Sequence, residues 1–232
     1  MTQAGPLRWR SGVGWIVLTG GGSWRDGVTG QVDAMVLGWA DLSHPIAIIP
    51  SAGGSTSEAN ARLDYLADLG GPHGYVVPIY KPADAQRVEN AELISGAGLV
   101  YLADGPDAAS LVESLRYSPA LAAISHAHEA GAAIVGAGAG ATALGAWIAG
   151  TESTGETEGL GWVEDVIVTP HFEGAESADQ LRHLLDTHSE CIGLGIPEGS
   201  GLGLGPDGNV VSVGDEDVTV VVGQVEDDRR AG

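Results

Sequence analysis

The sequence predicts an α/β fold in three layers, with a mostly parallel sheet and a C-terminal antiparallel hairpin, and three observations carry it. Short β-branched runs alternate with longer stretches of helical periodicity, the pattern of successive βα units. Several runs end in glycine, where a strand must turn tightly into a helix. Hydrophobic residues make up 44% of 232 positions, enough for a buried core. No linker or internal repeat interrupts the pattern, so residues 1–232 read as a single domain.

Residues 15–19 read as the first strand, ending in Gly20-Gly21-Gly22. Val32, Met35, Val36 and Trp39 then recur at helical spacing. Residues 46–49 form the second strand, and Ser55 with Glu58 makes a capping box for a helix whose apolar face is Ala59, Leu63 and Leu66. A third strand at 75–79 precedes a helix at 85–94, and a fourth at 99–102 precedes helices at 108–115 and 120–130. The fifth strand, 132–135, runs through Gly136-Ala137-Gly138-Ala139-Gly140 into a helix at 141–149.

The regularity then loosens. Residues 151–159 hold three Glu, two Gly and no apolar side chain, the composition of an exposed loop. A strand at 166–168, a helix at 178–185 and a strand at 192–196 follow. Residues 201–204 and 210–213 flank Pro206-Asp207-Gly208, a hairpin signal; residues 218–222 are expected to close the sheet, and 226–232 to form a frayed tail.

Thirty-one Asp and Glu against 10 Lys and Arg give a net charge of −21, yet charged residues are only 18% of the chain. Base is what is missing, with Lys81 the single lysine. That balance argues against nucleic-acid binding and against an anionic membrane surface. Cys191 is the only cysteine, which excludes an intrachain disulfide framework and a Cys-based zinc site. No apolar run approaches a membrane span, and the first, residues 15–18, is too short for a signal peptide, so a cytoplasmic protein is expected. His126 and His128 diverge on a helix, His183 and His188 are poorly spaced for a pair, and no metal or cofactor site is expected.

The segment 135–141 is the most informative. A strand–turn–helix of the form G-x-nucleophile-x-G presents a reactive side chain at the carboxyl end of a parallel strand. Here the frame Gly136-x-x-x-Gly140 is intact, but its centre is Gly138, which has no side chain to attack with. Read on its own, the run is equally a tight βα turn chosen for close helix–sheet packing. Its G-x-G-x-G spacing on a fifth strand departs from a dinucleotide fingerprint.

With these pieces in order, the chain resembles the cyanophycinase and dipeptidase E family of serine peptidases, whose fold is flavodoxin-like, of the class I glutamine amidotransferase type. Residues 134–145, Ile-Val-Gly-Ala-Gly-Ala-Gly-Ala-Thr-Ala-Leu-Gly, are similar to the family's Gly-Thr-Ser-Ala-Gly-Ala elbow and following helix. Gly159-Leu-Gly161, Val166-Ile-Val168 and His171-Phe172 resemble its histidine segment, and Gly193-Leu-Gly-Ile-Pro-Glu198 its Gly-Ile-Gly-Ile-x-Glu segment. The resemblance places Gly138 at the nucleophile position, His171 at the general base and Glu198 at an acidic position near the site. It places Ala139, Asp104 and Gly105 at the oxyanion and binding positions.

The departures from that pattern point one way. The nucleophile is absent, and Asp104 puts negative charge where negative charge would have to develop. Pro106 has no amide hydrogen, Thr169 stands where the family has Asp, and Glu173-Gly174-Ala175 replaces the arginines after His-Phe. The resemblance therefore implies a catalytically inactive relative that binds a small molecule or peptide at the degenerate site. The alternative is an active peptidase or amide hydrolase using another nucleophile, such as Thr142, or water activated by His171 and Glu198. Thr142 more often bonds back to the preceding turn, Cys191 reads as a small buried hydrophobe, and Phe172 is expected to pack under His171. A homodimer of so acidic a chain would have to rest on an apolar patch.

Overall fold

The computed structural model describes residues 6–149 and 155–223. After β1 (Arg8–Trp9), the chain lays down β2 (Ile16–Thr19), α1 (Gly30–Trp39), β3 (Ile46–Ile49), α2 (Thr56–Asp68) and β4 (Gly74–Val76). Two helices, α3 (Pro82–Ala85) and α4 (Val88–Ser95), lead to β5 (Leu99–Leu102). Then come α5 (Ala108–Leu115), α6 (Pro119–Ala130), β6 (Ala133–Ala137) and the short α7 (Ala139–Leu144). The remainder holds β7 (Trp147–Ile148), β8 (Thr157–Glu158), β9 (Val163–Glu164), β10 (Val166–Thr169) and α8 (Gly174–Thr187). It ends with β11 (Ile192–Gly195), β12 (Gly201–Leu204), β13 (Val210–Val213) and β14 (Thr219–Val222).

The main sheet has seven strands in the order β13-β12-β2-β6-β5-β3-β4. Strands β2, β6, β5, β3 and β4 run parallel, while β12 pairs antiparallel with β2 and turns back into β13. Every residue of β2, β3, β5 and β6 is buried, as expected of parallel strands covered on both faces. Two helices start at serine caps the sequence offers: for α2, Ser55 Oγ accepts the Glu58 N–H at 3.1 Å, and for α6, Ser118 Oγ accepts the Leu121 N–H at 3.1 Å. The arrangement is a mixed α/β, flavodoxin-like architecture with the antiparallel hairpin at its edge.

The sequence reading needs five corrections. Strands β10, β11 and β14 do not close the main sheet; they form a second, five-stranded sheet in the order β14-β11-β10-β7-β8. The edge beside β2 is taken by β12, so β10 and β11 pair with each other and bury Ile167 and Cys191 against Leu181 and Leu185 of α8. Helix α7 stops at Leu144, because Gly145 is extended (φ −70°, ψ −175°) and Trp147–Ile148 joins the small sheet. The helix expected at 85–94 is broken before Val88 by extended Arg87. The third strand ends at Val76, two residues before Pro78, which has no N–H for a ladder. Of the loop expected at 151–159, residues 151–154 lie outside the described residues, and Thr157–Glu158 pairs with Trp147–Ile148. The expected tail at 226–232 also lies outside them. Among the described residues no helix is long and apolar enough to cross a membrane.

Candidate active site

Strands β2, β6 and β5 are neighbours, so the loops leaving their carboxyl ends converge. Gly138 follows β6 directly, with φ 50° and ψ −114°. Side-chain-bearing residues hold that conformation only under strain. Its N–H donates to the Thr19 carbonyl at 3.1 Å, and its carbonyl accepts the N–H groups of Ala141 (2.9 Å) and Thr142 (3.1 Å), which opens α7. The frame is glycine for steric reasons too: a Cβ on Gly140 would lie 2.3 Å from the Leu102 carbonyl oxygen. The turn after β6 therefore combines a strained backbone with a residue that has no side chain. A Cβ on Gly138 would meet Asp104, 1.9 Å from Oδ1 and 2.1 Å from Cγ.

Asp104, just past β5, fills that space. Its Oδ1 accepts the N–H of Ala139 at 2.9 Å and of Gly105 at 2.8 Å. Its Oδ2 lies 3.2 Å from His171 Nε2, and His171 Nδ1 lies 2.8 Å from Glu198 Oε1. Five of the positions singled out in the sequence thus converge around Gly138: Asp104, Gly105, Ala139, His171 and Glu198. His171 is itself held at φ 48°, its N–H donating to the Gly20 carbonyl at 3.0 Å. Gly21 lies against the ring, for a Cβ there would be 2.6 Å from His171 Cε1. Phe172 turns its ring over Gly195 and into the core of the small sheet.

Electrostatics follow from this line of carboxylate, imidazole and carboxylate. The hydrogen bond to Asp104 is the largest influence on His171; partial burial opposes it, and the Glu198 bond adds to it, raising the pKa to about 9. For Asp104, burial pushes upward, but the bonds from His171, Ala139 and Gly105 outweigh it and hold the carboxyl below its ordinary range. At neutral pH the pair is an aspartate and an imidazolium.

Beside this line opens a cavity of about 520 Å³, walled by Trp24, Arg25, Glu58, Arg62, Tyr101 and both Asp104 and His171. Arg25 pairs with Glu58 at 2.9 Å and lies over the Trp24 ring at 4.2 Å. Deeper, Arg62 is 6% exposed and donates to Asp33 Oδ1 (2.5 Å) and the Tyr101 hydroxyl (2.7 Å). Asp33 in turn accepts from the Thr29 hydroxyl (2.5 Å) and the Tyr65 hydroxyl (3.1 Å). Burial raises the Asp33 pKa and pushes the Tyr101 phenol to about 12.

Sequence reasoning missed this polar floor. It took Leu63 as part of the buried face of α2, but Ala59, Arg62 and Leu66 are buried; on α1 it took Met35, which is 41% exposed, and passed over buried Asp33. The available signal was one charge on each helix at helical spacing from apolar neighbours. Such charges usually belong to a solvated face, which is why the pair was not found.

The Peptidase family S51 profile matches residues 16–209, from the first strand of the main sheet to the hairpin. The chain belongs to peptidase family S51. It is similar to the cyanophycinases of Synechococcus elongatus and Thermosynechococcus vestitus, each 28% identical over 192 residues, 78% of this chain and 59% of the relative. It is also similar to the cyanophycinase of Geminocystis herdmanii, 26% identical over 190 residues, 77% of this chain and 70% of that one. The chain thus spans about three fifths of the first two curated relatives. Among solved structures, a peptidase from an acI-B1 Actinobacterium is 27% identical with a TM-score of 0.71, over 91% of this chain and 92% of that one. A putative peptidase E from Listeria monocytogenes, 16% identical with a TM-score of 0.61 over 88% and 99% of the two chains, shares the fold.

Among the described residues, the other candidate side chains of this S51 chain make no hydrogen bond to Asp104, His171 or Glu198. Cys191 is buried beneath α8, and burial lifts its thiol pKa to about 11. His128 is buried, with Nε2 3.1 Å from the Gly14 carbonyl, while His126 is exposed. His188 stacks on Trp147 and meets Glu156 at 2.6 Å, and His183 is exposed. Thr142 sits in α7, its N–H bonded to the Gly138 carbonyl.

Proposed function

We propose that this S51 chain has lost serine-peptidase chemistry and binds a small molecule or peptide end in the cavity beside Asp104. One observation carries the reading: Asp104 Oδ1 lies between the N–H groups of Ala139 and Gly105, the donors a substrate carbonyl would need, next to a residue 138 without a side chain. A scissile carbonyl arriving at the site would find its donors engaged, a carboxylate repelling its developing oxyanion, and no hydroxyl to attack it. The missing arginines after His171-Phe172 also weaken recognition of an acidic substrate of the kind a cyanophycinase name suggests.

The alternative, water driven directly onto an amide by His171, has the 2.8 Å contact with Glu198 in its favour. Against it, Nε2 faces Asp104 and the imidazole is protonated at neutral pH. The test is to incubate the purified protein with β-aspartyl-arginine and Asp-X dipeptides while following amide chemical shifts. The expected result is perturbation of the Gly105 and Ala139 amides with the dipeptide recovered whole. Turnover above a His171→Ala control would defeat the reading.

A further inference from the structure

One oxygen already occupies a two-amide cradle here, and it belongs to the protein itself. With Asp104 Oδ1 fixed at 2.9 and 2.8 Å from two backbone nitrogens, Oδ2 is left on the His171 side, and both residues wall the cavity. An ionised carboxylate so held has one oxygen oriented as a carbonyl and the other carrying lone pairs for attack. We propose that Asp104 is a nucleophile toward ligands with an sp³ carbon bearing an anionic leaving group, the alkyl halides being the simplest class, and that His171 then directs water onto the ester formed. This goes beyond the loss of peptidase chemistry, which concerns amides.

The steps balance with water as the only co-reactant. First, an Oδ2 lone pair forms the O–C bond while the C–X bond breaks in line, and X⁻ departs with the bonding pair. Trp24, Ile48 and Ala59 give this cavity the apolar wall an alkyl chain needs. The anion departs into the cavity itself, whose wall also carries the Arg25 guanidinium. Esterification removes the negative charge of Asp104, so the imidazolium loses the interaction that most favours its proton, releases that proton to solvent and becomes a base still oriented by Glu198.

Next, water adds to Cγ as its proton passes to Nε2. The negative charge appears on Oδ1, already between its two N–H donors, with no reorganisation required. Collapse breaks the Cγ–Oδ2 bond, His171 protonates the departing alkoxide, and the new Asp104 acid returns its proton to the imidazole. The sum is RX + H₂O → ROH + H⁺ + X⁻.

The test uses the full chain and 1-bromohexane. Bromide release is expected to be about 100-fold slower in D104N than in the wild type, with both variants checked by circular dichroism. In H171Q the second step stalls, and peptide mass spectrometry should find a hexyl ester on Asp104. As a measurement independent of any variant's folding, a single turnover of wild type in H₂¹⁸O should place the label in Asp104 and leave the hexanol unlabelled. Bromide release by wild type no faster than by D104N, an adduct on another residue, or label only in the alcohol would each overturn the proposal. Dipeptide cleavage is read separately, so the two readings fail independently.

Discussion

Restoring a serine at position 138 is the direct probe of how residues 104 and 138 share space. The new Cβ would lie 1.9 Å from Asp104 Oδ1 and 2.4 Å from Oδ2, so the carboxylate must swing out by more than an ångström. It then gives up the N–H groups of Ala139 and Gly105 and its contact with His171. Bonds to a charged group contribute roughly 1.5–3 kcal/mol each when buried, but the Asp104 side chain is 37% exposed and regains water, so about 2 kcal/mol in all is reasonable. A serine at φ 50°, ψ −114° adds about 1–3 kcal/mol of backbone strain. G138S should therefore lose about 3–5 kcal/mol, or roughly 6–20 °C in Tm for a chain of this size. In G138S/D104G the collision disappears and only backbone strain and the lost bonds remain, so urea titration of the four-protein cycle should give a coupling of about 2 kcal/mol. A fluorophosphonate probe should label the double variant at position 138 and leave G138S unlabelled. Additive stabilities, or a G138S protein as stable as wild type and readily labelled, would refute the geometry on which the functional reading stands.

Three further outcomes can be checked. Because the His171 pKa is raised in the folded protein, its ion pair with Asp104 contributes full stability below the ordinary imidazole pKa of about 6.5. That contribution drains away as pH rises through about 9, so the advantage of wild type over D104N in urea should shrink across that pH, and NMR titration of D104N should show a lower His171 pKa. Replacing Arg62 by Leu strands buried Asp33 and should cost about 3–5 kcal/mol in urea unfolding, whereas D33L/R62L should cost clearly less. Cys191, with a thiol pKa of about 11 beneath α8, should react with iodoacetamide at neutral pH only after denaturation.

Much of the main sheet is legible because β2, β3, β5 and β6 are buried on both faces and so appear as continuous apolar runs between glycine-rich turns. The small sheet is not, since four-residue strands such as Val166–Thr169 and Ile192–Gly195 carry no mark of which partner they choose. Around Gly138, the positions of Asp104, His171 and Glu198 could be named because the segments that carry them resemble those of a known family, not because strand register or spacing marks them. Their distances could not, for the carboxylate's swing into the cradle depends on the absence of a single Cβ. The Arg62–Asp33 pair escaped because two helices must dock before either charge finds its partner.

The crowding between residues 104 and 138 also constrains history. A side chain at position 138 is seated without that cost only once residue 104 has yielded, so two substitutions here favour a fixed order, residue 104 first. Taken the other way round, the first change is the damaging one, and selection would remove it before the second could help. Any descendant of this chain must therefore change both residues 104 and 138 if position 138 is to carry a side chain.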